Sequence, residues 1–472
     1  MKKYLKTMML VIVTTALFFV MVIPAYSAPK NPKKVRIVVR VSDEITDDVL
    51  TELSNYGKVI TVIKKLNAVG MKVPVENIDT IRGLEFVTSA GKDVERYAYG
   101  DYSEGLNTWN LDIINVTEFN PDPFPGERVV DETGEGVYVA VLDTGLVKHW
   151  RDYFPEDRIA TEYGMAFGGG GNEKGNVTNV PKNWERDTHS HGTHVSSTII
   201  GYSQYGTPIN GVAPKAKIIP VKVLGNSGFG WSVEVAEGIQ YIADLKTDEL
   251  LDSPVVINMS IGGPELSDVE RTAIDNAIEA GVIVVVSAGN EGEAGMGYPG
   301  AYEPVISVAA AGWIGEWSKP GWWYGLDVPE DLKEKVYITS WSSRELPGQD
   351  LDVAAPGSWV VGPYMPYGVA HPPIWAPSNV GQYYYVGGTS MACPHVAGTA
   401  ALMLEKNSAL VQNEVEDILI NTALDITWQE AEIWTPGCRY DPSPCYTITW
   451  KDDAEGAGLI QADDAITATP TP

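Results

Sequence analysis

Positive charge is scarce in this chain of 472 residues: 34 Lys and Arg stand against 62 Asp and Glu, a formal charge of −28. Phosphate binding needs clustered cations, so the balance argues against a nucleic-acid partner. Cysteine is scarce too. Cys393, Cys438 and Cys445 are the full set, too few for a small disulfide-built scaffold. The six histidines form no His-Glu-x-x-His pair, so that zinc-hydrolase signature is missing. After the first 28 residues no apolar run is long enough to cross a bilayer, which takes about 20 residues. What remains is a globular composition, 44% hydrophobic and 20% charged, and a length that fits one large α/β domain plus a smaller one.

The N-terminus sets the compartment. Lys2, Lys3 and Lys6 precede an apolar run from Met8 to Ile23, and Pro24-Ala-Tyr-Ser-Ala28 supplies small residues at Ala25 and Ser27. This is the pattern of a secretory signal peptide over residues 1–27, cut after Ser27. An uncleaved anchor is the rival reading, and the run is short for it. Export also makes a local disulfide between Cys438 and Cys445 the expectation, with two free thiols as the alternative. That leaves Cys393 odd.

Residues 34–97 read as a small α+β unit. Strands are expected at 35–41, 58–63, 68–73 and 85–89, and helices at 47–56 and 75–83. The order βαββαβ is the split, ferredoxin-like pattern. Residues 98–136 are rich in Gly, Asn, Asp and Pro and mark a boundary. Beyond them, β-branched runs at 137–142, 218–223, 255–259, 282–287 and 305–308 alternate with helical segments such as 232–245 and 268–280. Continuously apolar strands spaced by helices predict a buried parallel sheet with helices on both faces. Sites in such sheets gather at the carboxyl ends of the strands. The tryptophan-rich stretch 312–346 reads as an inserted surface loop or flap, and 467–472 as a linker-like tail.

Three stretches carry chemistry. Val141-Leu-Asp143-Thr-Gly145 puts an acid at a strand end. Asp187-Thr-His-Ser-His191-Gly-Thr-His194 leads into an apolar helix. Gly388-Thr-Ser390-Met-Ala-Cys-Pro-His395 opens another helix. A serine nucleophile needs a base, an orienting acid behind the base, and donors for the oxyanion. The Gly-x-Ser-x-Gly elbow is absent. Three histidines within six residues also fit a metal site, so a metallohydrolase stays open at this point. His189 reads otherwise as a loop residue and His194 as a packed helix residue. Cys393 and His395 fall on the helix body, where a buried thiol and a packed imidazole are expected. Met391 beside the serine is read as an exposed point of oxidation.

Asp143-Thr-Gly, His191-Gly-Thr-His, Ser287-Ala-Gly-Asn290 and Gly388-Thr-Ser390-Met-Ala resemble the four signature segments of the subtilisin-like serine proteases, the subtilases. Gly211-Val-Ala-Pro214, Asn258 to Pro264, Tyr298-Pro-Gly300 and Gly456 to Ile460 are similar to the same pattern. The chain order Asp, His, Ser is that of subtilisin. The resemblance spans about 107–466, with insertions between Asp143 and His191 and between Asn290 and Ser390. It implies an α/β subtilisin-like fold for 106–466 and an endopeptidase that hydrolyses peptide bonds. Asp143 would orient His191, His191 would act as base then acid, and Ser390 would attack. The Asn290 amide and the Ser390 N–H would hold the oxyanion.

The same resemblance implies further roles. Gly228-Phe229-Gly230 and Ser260-Ile261-Gly262 match the edges that flank a substrate strand. Gly297 matches the floor of the first specificity pocket, and a small floor with no matching acid implies a preference for large apolar side chains before the cleaved bond. Residues 28–105 resemble the inhibitory, chaperoning propeptide, with a cut between about Ala98 and Asn107. A structural Ca²⁺ is implied with its ligands unassigned, and no organic cofactor. The implied partners are protein or peptide substrates and the chain's own propeptide, for a secreted monomer with no membrane span after signal removal. Asn115 and Asn176 begin glycosylation sequons. The alternative of another class is a catalytically silent protein of the same fold used for binding. All four catalytic positions are filled, which disfavours it.

Overall fold

A computed structural model describes residues 34–92, 108–118, 127–167, 181–318, 336–364, 383–435, 437–438 and 443–472. The expectations for the signal peptide, for the cut between 98 and 107, for Gly168–Gly171 and for Asn176 lie outside these residues. The chain forms two compact units, residues 1–97 and 98–472.

In the first unit the strands are β1 (Lys34–Val41), β2 (Lys58–Ile63), β3 (Ala68–Pro74) and β4 (Val87–Lys92), with helices α1 (Asp47–Ser54) and α2 (Ile78–Arg82). They form an antiparallel sheet in the order β2-β3-β1-β4, the arrangement expected from βαββαβ. Alternation places Ile37, Val39, Val69, Met71 and Val73 in a common core with Leu53 of α1 and Ile81 of α2. Thr46 caps α1 through its side chain. The second helix is shorter than expected because a 3₁₀ turn at Val75–Asn77 precedes it.

The second unit opens with a one-turn helix α3 (Trp109–Asp112). It is built on β5 (Tyr138–Asp143), β6 (Met165–Ala166), β9 (Lys217–Lys222), β10 (Val255–Met259), β11 (Val282–Ser287), β12 (Ile306–Trp313), β13 (Val336–Ile338) and β14 (Val353–Pro356), with a separate hairpin β7–β8 (Tyr202–Gln204, Thr207–Ile209). The sheet order is β13-β12-β11-β10-β5-β9-β6, with β14 also on β12. All pairs but β12–β13 are parallel. Every residue of β10 and β11 is buried, which is why these strands read as unbroken apolar runs.

Helices cover both faces. On one face lie α4 (His191–Ile200) and α7 (Thr389–Lys406). On the other lie α5 (Ser232–Asp248) and α6 (Asp268–Glu279). Helix α8 (Gln412–Thr422), the ribbon pairs β15–β16 (Val360–Pro363, Tyr383–Val386) and β17–β18 (Glu430–Ile433, Tyr446–Thr449), and helix α9 (Ala462–Ala468) complete the unit. Because β5 pairs with β9 on one side and β10 on the other, the chain reverses direction of travel across the sheet at β5. Such a switch point opens a crevice at the strands' carboxyl ends, and Asp143 is the last residue of β5.

Two sequence expectations change. The described parts of 312–346 are not a surface flap: β12 runs on to Trp313, β13 joins the sheet, and Trp317, Ser342 and Ser343 are buried. The apolar run Ile306 to Trp313 continues one long strand, and the acid that follows, Glu316, is satisfied internally. Its carboxylate accepts hydrogen bonds from the Trp313 N–H, the Tyr337 hydroxyl and the Ser358 hydroxyl at 2.8–3.0 Å. The tail also begins later than residue 467. Helix α9 reaches Ala468, and the buried Thr469 bonds back to Ala465. Among the described residues, no helix is long and apolar enough to cross a membrane.

Candidate active site

Asp143 is fully buried and its carboxylate accepts the Thr144 N–H at 2.6 Å. Its two oxygens lie 2.9 and 2.8 Å from Nδ1 of His191. That contact fixes the tautomer: Nδ1–H donates to Asp143, and Nε2 keeps a lone pair. His191 is the first residue of α4, and Gly192 behind it lets the helix close on β5. A Cβ there would come within 2.5 Å of the Gly145 carbonyl and 3.1 Å of Asp143 Cβ. Burial alone would lower the His191 pKa. The charge and hydrogen bond of Asp143, with a smaller push from Asp187, raise it above its ordinary value.

Ser390 is the second residue of α7, so its N–H is one of those the helix cannot satisfy itself. At rest its hydroxyl donates to the Ser260 carbonyl at 3.1 Å, and the Ser260 hydroxyl donates to the Ser390 carbonyl at 2.8 Å. Ser260 is itself held by the Asn258 amide at 3.0 Å. Asn290 follows the β11 end, and its Oδ1 accepts the N–H and hydroxyl of Thr389 at 3.0 and 3.1 Å. With the carbonyl end anchored, the NH₂ end is the one left to act as a donor.

These residues meet at one cleft of about 730 Å³. His191, Asn290 and Ser390 line it, as do Gly228, Phe229, Gly230, Ser260, Ile261, Gly262 and Gly297. Asp143 lies behind His191 rather than in the cleft. Gly228 has φ +73°, and a Cβ there would meet Nε2 of His189 at 2.8 Å, so glycine is what allows this edge to approach. The cleft also holds Glu265, Glu270 and Glu291, acids that the apolar pocket expected from Gly297 did not include. Glu270 is spent on capping α6 through Ser267, while Glu265 and Glu291 are exposed.

His189 stays beside the pair, edge-on to His191 with ring centroids 6.1 Å apart, while two other histidines separate from it. His194 is fully buried, and its Nε2 donates to the Val360 carbonyl at 3.1 Å, while burial pushes its pKa down to about 3. His395 is fixed by the Met391 carbonyl at Nδ1 and the Asn110 amide at Nε2, both 2.8 Å. Cys393 is a buried free thiol whose pKa burial raises. Met391 is 1% exposed, so it is not the accessible point of oxidation expected from its position: its side chain packs into the core, while Ser390 beside it faces the cleft. Cys438 and Cys445 are joined in the structure with Cα atoms 6.1 Å apart, and neither lines the cleft. Asn115 is half-buried with its amide on Asp463 at 3.3 Å, tied into the fold rather than presented.

Sequence reasoning missed several neighbours. Thr389 anchors Asn290, and Ser260, expected only as part of a substrate edge, also anchors the serine backbone. Asp187, Thr144 and Lys222 form a polar group behind Asp143. A lysine inside the apolar strand run Ile218 to Val223 was the available signal for that group, since lysine is almost never fully buried without a partner.

The model of the subtilase family matches residues 134–457. Subtilisin DY of Bacillus licheniformis is 32% identical over 297 residues, 62% of this chain and 85% of that protein. A thermostable alkaline protease of Halalkalibacterium halodurans is 28% identical over 424 residues, 90% of this chain and 94% of that protein. Among solved structures, fervidolysin of Fervidobacterium pennivorans, described as a keratinolytic enzyme related to subtilisin, shares the fold at TM-score 0.53 and 24% identity. That match covers 94% of this chain and 62% of fervidolysin. A parallel sheet with an acid–imidazole pair at its switch point, a serine heading a helix in the same cleft, and a family match over both together mean that the chain belongs to the subtilase family of subtilisin-like serine endopeptidases.

Proposed function

We propose that this chain is an exported, self-processing endopeptidase in which Ser390 forms an acyl-enzyme on the carbonyl carbon of a peptide bond. The observation that carries the reading is the Asp143–His191 hydrogen bond, which leaves Nε2 unprotonated beside the cleft that Ser390 and Asn290 share. The Ser390 hydroxyl leaves the Ser260 carbonyl and gives its proton to Nε2 as Oγ attacks. The resulting imidazolium is stabilised by Asp143. Negative charge on the substrate oxygen is met by the Ser390 N–H, the Asn290 NH₂ and the positive end of α7. His191 then protonates the departing amine, and water repeats the sequence in reverse to free the acid and Ser390.

The peptide lies as an added strand between Gly228–Gly230 and Ser260–Gly262. Gly297 leaves room for a large apolar side chain before the cleaved bond. Residues 28–105 serve as inhibitor and folding aid, leaving a secreted monomer after cleavage in 98–107. A divalent cation, Ca²⁺ by its preference for oxygen, suits Asp350, Asp352 and Glu416, whose carboxylates lie within 4.8 Å of one another. Burial raises the pKa of Asp352, and burial together with the Asp352 charge raises that of Glu416. A cation there would relieve that repulsion.

N-terminal sequencing of the active protein with a peptide-library profile tests the reading. Expected are an N-terminus within 98–108, Ser390→Ala protein that stays full length, and cleavage after large apolar residues. Maturation of Ser390→Ala unaided would sink self-processing, and a profile ruled by Lys or Arg would sink the apolar preference.

A further inference from the structure

Behind Asp143 lies a second pair of charges that the acyl transfer does not itself use. Asp187 is 3% exposed, and Lys222 is fully buried at the end of β9, opposite Asp143 in the sheet register. Asp187 Oδ1 accepts the His189 N–H at 2.8 Å. Its Oδ2 accepts the Ser190 N–H at 2.7 Å and the Thr144 hydroxyl at 2.8 Å. Ser190 has φ 72°, a left-handed conformation that a non-glycine residue holds only under constraint. The Asp187 carboxylate is that constraint, and the next residue is His191.

Thr144 is gripped from two sides. Its hydroxyl donates to Asp187 and accepts the Gly192 N–H at 3.0 Å, at the start of the helix that carries His191. Its carbonyl accepts Nζ of Lys222 at 2.5 Å. The same Nζ donates to Oδ1 of Asn226 at 3.1 Å, in the turn that leads to Gly228 at the cleft edge. One buried cation therefore touches both the turn that follows the orienting acid and the loop that would hold substrate.

We propose that Asp187 and Lys222 are positioning residues: Asp187 places a second negative charge behind His191 and holds its turn, while Lys222 offsets that charge and ties the Asp143–Thr144 turn to the Asn226–Gly228 edge. This rests on the triad reading above. Around the imidazole stand Asp143 from β5, Asp187 and His189 from the loop before α4, and His194 on α4 itself; one step further out, Lys222 from β9 acts on the two acids, Tyr364 after β15 packs on His189 and His194, and Glu291 lines the same cleft. Of these, Asp143 and Asp187 raise the His191 pKa. Lys222 is pushed down by burial and held up by Asp187 and Asp143, so its charge is the counterweight to both.

The two roles have opposite signs, which a merely structural role would not produce. Asp187→Asn should move the acid limb of kcat/KM to lower pH with KM near wild type. Lys222→Met should move it to higher pH, raise KM, and lose roughly tenfold in kcat/KM through the loosened edge. The His191 imidazole titration followed by NMR in the resting enzyme should shift in the same two directions. Profiles and titrations left as in wild type, or shifted the same way by both variants, would overturn the proposal. If Lys222→Met does not fold, the near-isosteric Asp187→Asn decides alone by the sign of its shift. If wild type hydrolyses no peptide, the triad reading fails, and the imidazole titration still decides this one.

Discussion

Replacing Glu316 with glutamine should make the protein more stable in alkaline solution and leave it nearly unchanged in acid. Burial pushes this carboxyl from an ordinary 4.5 up to about 8, against the pull of its three hydrogen bonds. The folded state therefore keeps a proton that the unfolded chain releases above about pH 4.5. Stability falls wherever the unfolded state binds fewer protons, so the loss runs from pH 4.5 to about 8 and is complete above it. Three and a half units correspond to a ceiling of about 5 kcal/mol, at about 1.4 kcal/mol per unit. Glutamine matches the protonated acid in shape. Its oxygen can accept the Trp313 N–H and its NH₂ can face Ser358 and Tyr337, which now meet Glu316 at 2.8 and 3.0 Å. Denaturant unfolding of both proteins in a Ser390→Ala background, from pH 4 to 9, isolates this group, because Asp352, Glu416 and Glu455 contribute equally to both. The expected difference is near zero at pH 4 and several kcal/mol in favour of glutamine at pH 9. A difference independent of pH would show that Glu316 is ionised throughout and that the reasoning is wrong. The site matters beyond stability: Trp317, next in sequence, packs edge-on against Tyr385 with ring centroids 4.7 Å apart, and Tyr385 lies on the strand that leads into Ser390.

Asn290→Ala should lower kcat by roughly 10²–10³ with little change in KM, the usual cost of losing one oxyanion donor; an equal loss in Thr389→Ala would instead mean that the anchor alone matters. A chelator should lower the melting temperature of wild type, by the equivalent of about 3 kcal/mol if the ion stands at a hundred times its Kd. Glu416→Gln should blunt that response, and identical melting with and without chelator would remove the cation from the account. The raised His191 pKa places the acid limb of kcat/KM above the ordinary histidine value near 6.5; a limb below it, in a pH series on a small ester, would contradict the Asp143 contact.

Much of this fold was legible because its strands are buried on both sides. Val255–Met259 and Val282–Ser287 could be little else, and their boundaries are those the apolar runs mark. The four motif segments marked the cleft because each falls at a strand end or a helix start. The failures have a common cause: a local pattern read without its tertiary partner. Trp313 and Trp317 looked like a surface insertion because Glu316 stands between them, and nothing local shows that Tyr337 and Ser358 satisfy it. Met391 looked exposed through its neighbour Ser390, yet successive helix residues face different ways. Asp187 and Lys222 lie 35 positions apart, and only the β5–β9 register brings Lys222 to Asp143. Glu265 and Glu291 sit in separate loops that share a wall only after folding.

The most direct test is to label the matured protein with a serine-directed phosphonate and locate the adduct by peptide mass spectrometry, while following hydrolysis of casein. One adduct is expected, on Ser390, with activity lost in proportion to labelling, no hydrolysis by Ser390→Ala, and no effect of a zinc chelator on casein hydrolysis by wild type. Full hydrolysis after stoichiometric labelling, or by Ser390→Ala, would contradict Ser390 as the nucleophile.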